Sequence, residues 1–129
     1  MESKQKTKIL CICAKGMNRS KYLAGYLRRK GYSTRYGGID AYDAIKPITQ
    51  EDLNWANLVI VARPRHEKIL RQLYNHLEKK IIVLDVSDSK EAVPGELSHL
   101  KGLDYEHFHK KWTYPNLRKA IKPYLPMKK

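Results

Sequence analysis

The sequence predicts an α/β protein: a single three-layer domain with a four-stranded parallel sheet and helices on both faces. Two observations carry that expectation. Short apolar segments of strand length recur along the chain, and segments with helical spacing separate them. No internal repeat, low-complexity tract or linker interrupts the alternation. Parallel strands joined through helices cross over right-handed, which places helices on both faces. The 129 residues can bury one core and fit one domain, 1–129, with 1–7 and 126–129 expected to be flexible.

Lys8 to Cys13 is an apolar run that suits a buried central strand. After a loop containing Gly16, Leu23, Tyr26 and Leu27 recur at helical spacing, and Gly31 supplies the stop. Tyr32 to Tyr36 reads as a more exposed second strand ending at Gly37-Gly38. Ile48 to Ala56 reads as a short helix that Thr49 caps, with Asp52 three residues on to complete the box. Asn57 to Ala62 is a third, buried strand. Pro64 fits the first turn of a helix carrying Ile69, Leu70, Leu73, Tyr74 and Leu77. Lys80 to Asp85 is a fourth strand. A polar connection through Pro94 and Gly95 leads to Leu97–Leu103 and a last helix from about Tyr114 to Tyr124.

The formal net charge is +13 and unevenly spread. No acid lies between Ser3 and Ile39 or after Glu106, and both stretches are rich in Lys and Arg. Such a field attracts polyanions, whether nucleic acid, an anionic membrane surface or phosphorylated protein; the plainer reading is a solvated basic surface. No apolar run approaches the roughly 18 residues of a membrane span. The polar start, Met1 to Lys8, lacks the apolar core of a secretion signal, so a cytoplasmic protein is expected, a monomer or weak dimer. Cys11 and Cys13 are expected to be reduced, since a bridge between residues two apart in a strand is strained. The five histidines have no Cys or His partners at zinc spacing, so neither metal nor cofactor is expected. His107 and His109 read as surface residues. Tyr105, Phe108, Trp112 and Tyr114 lie among lysines; the simplest reading docks these rings onto the sheet, and the alternative is a grip on single-stranded nucleic acid.

Chemistry concentrates in Cys13-Ala14-Lys15-Gly16-Met17-Asn18-Arg19-Ser20. In an open parallel sheet, ligands bind beyond the carboxyl ends of the strands. Cys13 ends the first strand and Ser20 opens the first helix, so the backbone between them can turn its amides onto an anion. The Cys-x5-Arg spacing lets six residues curl around a phosphoryl group, with sulfur beneath phosphorus. Arg19 returns its planar fork to the equatorial oxygens. The helix terminus, Arg19 and the Ser20 hydroxyl all favour the nucleophilic thiolate of Cys13. Cys11, inside the strand, reads as core.

These residues resemble the low-molecular-weight protein tyrosine phosphatases. Leu53-Asn-Trp-Ala-Asn-Leu-Val-Ile-Val, Arg65-His66 opening a helix, and Ile82-Val-Leu-Asp-Val-Ser-Asp88 are similar to a small bacterial and archaeal branch of predicted tyrosine phosphatases. The resemblance spans residues 8 to 100. It implies a flavodoxin-like strand order and hydrolysis of phosphate monoesters through a phosphocysteine. It also implies a general acid from the loop after the fourth strand. That loop offers Asp85 and Asp88, and Asp88, further into the loop, is the favoured choice. Cys13, Arg19 and Asp88 are then catalytic, and Ala14, Lys15, Gly16, Met17, Asn18 and Ser20 bind substrate.

The sequence departs from the family pattern in three places. Gly16 and Asn18 replace the usual asparagine and second cysteine of the loop. Asp88 is followed by Ser89-Lys90-Glu91 rather than by proline and aromatic residues. Arg63 and Arg65 stand where relatives often carry an acid, which with Lys15 suggests a strongly basic mouth for a polyanionic substrate. Two other classes remain open. Cys-Ala-x-Gly-Met followed by serine also resembles the loop of cysteine-phosphorylated sugar-transport subunits, and the basic face alone could serve a nucleic-acid- or lipid-binding module.

Overall fold

The computed structural model describes residues 7–40, 42 and 44–127. Four parallel strands, β1 (Lys8–Cys13), β2 (Ser33–Gly38), β3 (Leu58–Val61) and β4 (Lys80–Val83), form one sheet in the order β2-β1-β3-β4. The order reverses at β1, between β2 and β3, which puts the switch point at the carboxyl end of β1.

The pleat of β1 explains its unbroken apolar run. Ile9 and Cys11 face one core with Leu23, Ala24 and Leu27 of α1 (Arg19–Arg29) and with Leu117 and Ile121 of the last helix. Leu10 and Ile12 face a second core with Leu53 of α2 (Gln50–Trp55) and Leu70 of α3 (Pro64–Leu73). A strand covered on both faces needs apolar residues at every position. Gly31, at φ +103°, turns the chain out of α1 at no side-chain cost. The expected capping box opens α2: Thr49 Oγ1 accepts from the Asp52 amide and Asp52 accepts from the Thr49 amide, each at 3.1 Å. Leu73, expected on the buried stripe of α3, is instead exposed at the helix end, and Leu77 lies beyond the helix.

The C-terminal third departs most from expectation. A 3₁₀ segment (Gly95–Gly102) leads to a continuous helical run that begins at Tyr105, not Tyr114. It comprises α4 (Tyr105–Phe108), a π turn (His109–Thr113) and α5 (Tyr114–Ile121). Asp104 caps it, accepting from the His107 amide at 2.9 Å. The wide π turn shifts the helical phase, so 105–113 shows no clean 3.6-residue pattern. Nor do Phe108 and Trp112 dock on the sheet. Phe108 and Trp112 pack with Val93 and Leu100 in a small separate core, and Tyr114 stacks on Tyr22 of α1 at 4.1 Å. At the chain ends, Thr7 and Met127 are buried, and the rest of 1–7 and residues 128–129 lie outside the described residues. Among the described residues, no helix is long and apolar enough to cross a membrane.

Candidate active site

The loop between β1 and α1 is shaped by what its carbonyls do. Cys13 O and Ala14 O each accept from the Ile39 amide at 3.0 Å, and Ala14 O also from that of Asp40. Lys15 O accepts from the amides of Ile45 at 2.9 Å and Lys46 at 3.2 Å. With the carbonyls bound outward to the segment after β2, the amides of residues 15–18 have no protein acceptor among the described residues. Gly16 sits at φ +74°, a conformation that costs glycine nothing and lets the loop close. Its α-carbon packs so tightly on the Gly37-Gly38 backbone that a Cβ would lie 2.4 Å from Gly38 N. Free amides at the end of a buried strand, with the N-terminus of an 11-residue helix behind them, form an anion site.

The side chains converge on that loop. A cavity of about 280 Å³ is lined by Cys13, Lys15, Asn18, Arg19, Asp88 and Tyr105, with Ala14 and Met17 completing it. Cys13 Sγ lies 3.1 Å from Ser20 Oγ, a contact in which the thiol donates to the hydroxyl or the hydroxyl donates to the thiolate. Arg19 is buried; its Nη1 donates to the Val86 carbonyl at 2.8 Å, fixing the guanidinium beneath the loop that follows β4. Arg19 Nε lies 3.4 Å from Asp88 Oδ2, near enough for charge attraction but without hydrogen-bond alignment, and no other acceptor among the described residues reaches it. A buried, unmatched N–H in an anion cradle suits a phosphate oxygen.

The two aspartates go different ways. Asp88 enters the cavity, whereas Asp85 is exposed and pairs with Arg63 at 2.7 Å. Arg65 pairs with Asp40 at 3.3 Å. The strongly basic mouth is therefore corrected: neither arginine lines the cavity, and Lys15 and Arg19 are the cations that do. Arg63 belongs instead to a separate cavity with Val86 and Trp112. His66, at the start of α3, is fully buried; Nδ1 accepts from the Arg63 amide at 3.1 Å. Burial, with Arg19 and Arg65 adding repulsion, pushes its pKa down to about 4. Cys11 lies in the core, where burial pushes its thiol up and leaves it inert.

His109 is the residue the sequence misplaced. It is 4% exposed, not a surface residue, and its ring nitrogens lie 3.3 and 3.4 Å from Asn18 Nδ2. Burial pushes its pKa down; the Asp88 charge opposes that, and Arg19 and Lys90 add to it. Tyr114 donates to Asn18 Oδ1 at 2.9 Å, and Asn18 Nδ2 donates to Asp88 Oδ2 at 3.2 Å. Tyr105 covers one side of the cavity and makes an edge contact with His109, centroids 4.3 Å apart. Tyr105 and Tyr114 drew notice in the sequence only as aromatics among lysines. Their sites depend on contacts across about 90 residues, which no local spacing announces.

No protein-family model and no curated protein sequence matches the chain, but solved structures do. It superposes on Wzb of Vibrio vulnificus, solved in complex with benzylphosphonate, with a TM-score of 0.67 and 15% identity, covering 93% of this chain and 97% of that one. For the YwlE arginine phosphatase of Geobacillus stearothermophilus the TM-score is 0.62 at 15% identity, covering 90% and 88%. For SP-PTP, a low-molecular-weight protein tyrosine phosphatase of Streptococcus pyogenes, it is 0.59 at 13% identity, covering 94% and 95%. The likeness runs over nearly the whole chain, including the four-stranded parallel sheet: this protein has the fold of the low-molecular-weight protein tyrosine phosphatases.

Proposed function

We propose that the chain is a cysteine-dependent phosphatase that hydrolyses phosphate monoesters through a phosphocysteine intermediate. One observation carries this reading: Cys13, Arg19 and Asp88 line a single cavity whose floor is a loop of uncommitted amides. A tetrahedral dianion on that floor meets the amides of residues 15–18 and the Arg19 fork. It sits above Cys13 Sγ. The thiolate attacks phosphorus, and the sulfur–phosphorus bond forms as the bond to the ester oxygen breaks. Asp88 gives its proton to that oxygen. The Asp88 carboxylate then takes a proton from water, the water oxygen bonds to phosphorus, and the sulfur–phosphorus bond breaks to release inorganic phosphate. Ser20, 3.1 Å from sulfur, stabilises the thiolate both before attack and as leaving group.

Tyr105 and Met17 line the mouth and give it apolar walls, which favour an ester with an aromatic leaving group. An aromatic wall comes from the C-terminal helical run rather than from the residues after Asp88. That supports phosphotyrosine protein as the substrate, with other phosphorylated polyanions as competitors. The phosphate linkages named for the structural neighbours, phosphotyrosine and phosphoarginine, define the two peptide classes to compare.

The test is hydrolysis of 4-nitrophenyl phosphate in the presence of a chelator, for wild type, Cys13→Ser and Asp88→Asn. Turnover that vanishes in Cys13→Ser, with a phosphocysteine trapped from the wild type, is expected. Turnover retained by Cys13→Ser overturns the mechanism. A phosphocysteine that forms and never releases phosphate would identify a carrier instead.

A further inference from the structure

The carboxamide of Asn18 is buried and saturated. Tyr114 O–H donates to Oδ1 at 2.9 Å, and burial keeps that hydroxyl protonated. Nδ2 carries two hydrogens: one meets Asp88 Oδ2 at 3.2 Å, and the other meets the His109 ring, whose Nε2 and Nδ1 at 3.3 and 3.4 Å place it over the ring face. A flipped amide would set its oxygen against the Asp88 carboxylate and aim its NH₂ at a donor, so donor count fixes the orientation. His109 Nδ1 in turn lies 2.7 Å from Thr113 Oγ1. A ring that receives an amide N–H on its face is neutral, since an imidazolium would repel that hydrogen. The burial that lowers His109's proton affinity favours that neutral form. The charged groups facing the ring are Asp88 after β4, Arg19 of α1 and Lys90 before the 3₁₀ segment. The rings of Tyr105 and Tyr114 pack against it.

The result is a carboxylate with two unlike oxygens. Asp88 Oδ2 accepts from Asn18 and faces the Arg19 guanidinium at 3.4 Å. Asp88 Oδ1 has no protein partner among the described residues. We propose that His109, Tyr114 and Asn18 form a clamp that selects Asp88 Oδ1 as the oxygen that gives and takes the proton. Oδ2 stays an acceptor throughout, because both its neighbours are donors. In the first step the proton on Oδ1 passes to the ester oxygen as the phosphorus–oxygen bond breaks. In the second, Oδ1 takes a proton from the attacking water. This rests on the reading of Asp88 as the general acid. His109 and Tyr114 are positioning residues, since neither lines the cavity that holds Cys13.

A positioned acid matters most when the leaving group is poor, which gives a readout that mere destabilisation would not move. Turnover is measured on phenyl phosphate and on the activated ester 4-nitrophenyl phosphate for His109→Ala, Tyr114→Phe and His109→Gln. General acid catalysis contributes about 10²- to 10⁴-fold, so a misaligned acid is expected to cost at least ~10-fold more on phenyl phosphate than on the activated ester. His109→Gln, which keeps an acceptor for Asn18, is expected to restore most of the difference. Equal losses on the two esters, or no loss, overturn the proposal. Ring ¹⁵N spectra of wild type at pH 7 are expected to show His109 neutral; a charged ring overturns the clamp without touching the phosphatase reading. A wild type that hydrolyses neither ester overturns that reading and the proton step together, while the spectra still decide the clamp.

Discussion

Replacing Gly38 with alanine tests whether the loop's closeness to β2 shapes the anion site. A Cβ there would lie 2.4 Å from the Lys15 carbonyl carbon and 2.7 Å from the carbonyl oxygens of Ala14 and Lys15. These are backbone atoms and cannot rotate aside. They are also tied down, since the same two carbonyls hold the amides of Ile39, Asp40, Ile45 and Lys46. Carbon atoms rest at about 3.5–4.0 Å, so the loop must withdraw by roughly 1 Å. Overpacking of this kind costs about 1–3 kcal/mol of stability. A displacement of about 1 Å in a catalytic loop lowers turnover by about 100-fold, or ~2.7 kcal/mol of transition-state stabilisation. The assay pairs kcat/KM on an aryl phosphate with calorimetric affinity for inorganic phosphate, and both are expected to fall. Gly95→Ala and Gly102→Ala, whose added methyl groups meet nothing within 4 Å, serve as controls and should keep both. A Gly38→Ala protein with wild-type turnover and phosphate affinity would refute the claim that this contact shapes the site.

Three further outcomes are expected. Iodoacetamide should modify Cys13 at the cavity and spare Cys11, whose thiol burial keeps protonated; peptide mass spectrometry of the native protein checks this. His66 is depressed from 6.5 to about 4 in the folded protein, so its contribution to stability is intact above pH 6.5 and is lost as pH falls toward 4, by roughly 3 kcal/mol in all. Urea titrations at pH 7.5 and 5 should show that slope in wild type and a shallower one in His66→Gln. Gly25, in mid-α1, would place a Cβ only near the Arg29 guanidinium at 3.5 Å, so Gly25→Ala should gain about 0.5–1 kcal/mol in urea unfolding.

What could be read from the sequence follows the range of the interactions. The β1–loop–α1 unit was legible because strand, turn and helix are contiguous and each leaves a local pattern: an apolar run, Gly16 and helical spacing from Leu23 to Leu27. The Thr49–Asp52 box was legible for the same reason. Arg63 and Arg65 were misread because counting charges cannot show pairing; Asp85 and Asp40, 22 and 25 residues away, take them out of the mouth. Phe108 and Trp112 read as aromatics bound for the sheet, yet they seal a separate core with Val93 and Leu100 that no local pattern sets apart. His109 was hidden twice, by a π turn that breaks the periodicity and by a partner, Asn18, 91 residues upstream in the chain.

That division has a consequence for how the site assembles. The anion cradle is local: once β1 pairs with β2 and the chain returns through Ile45 and Lys46, the carbonyls of 13–15 are satisfied and the loop closes. The setting of Asp88 is not local. It needs Asn18 from the loop, Tyr114 and His109 from the C-terminal run, and the Arg19–Val86 hydrogen bond that fixes the segment before Asp88. The contacts from Tyr114 and His109 depend on α5 being packed against α1, with Leu117 and Ile121 in the shared core and Tyr114 stacked on Tyr22. On the proposed mechanism, phosphate affinity and acid catalysis therefore rest on separate parts of the molecule. Loosening the C-terminal packing should weaken the second well before the first, since none of the carbonyl bonds that shape the loop involves a residue beyond Lys46.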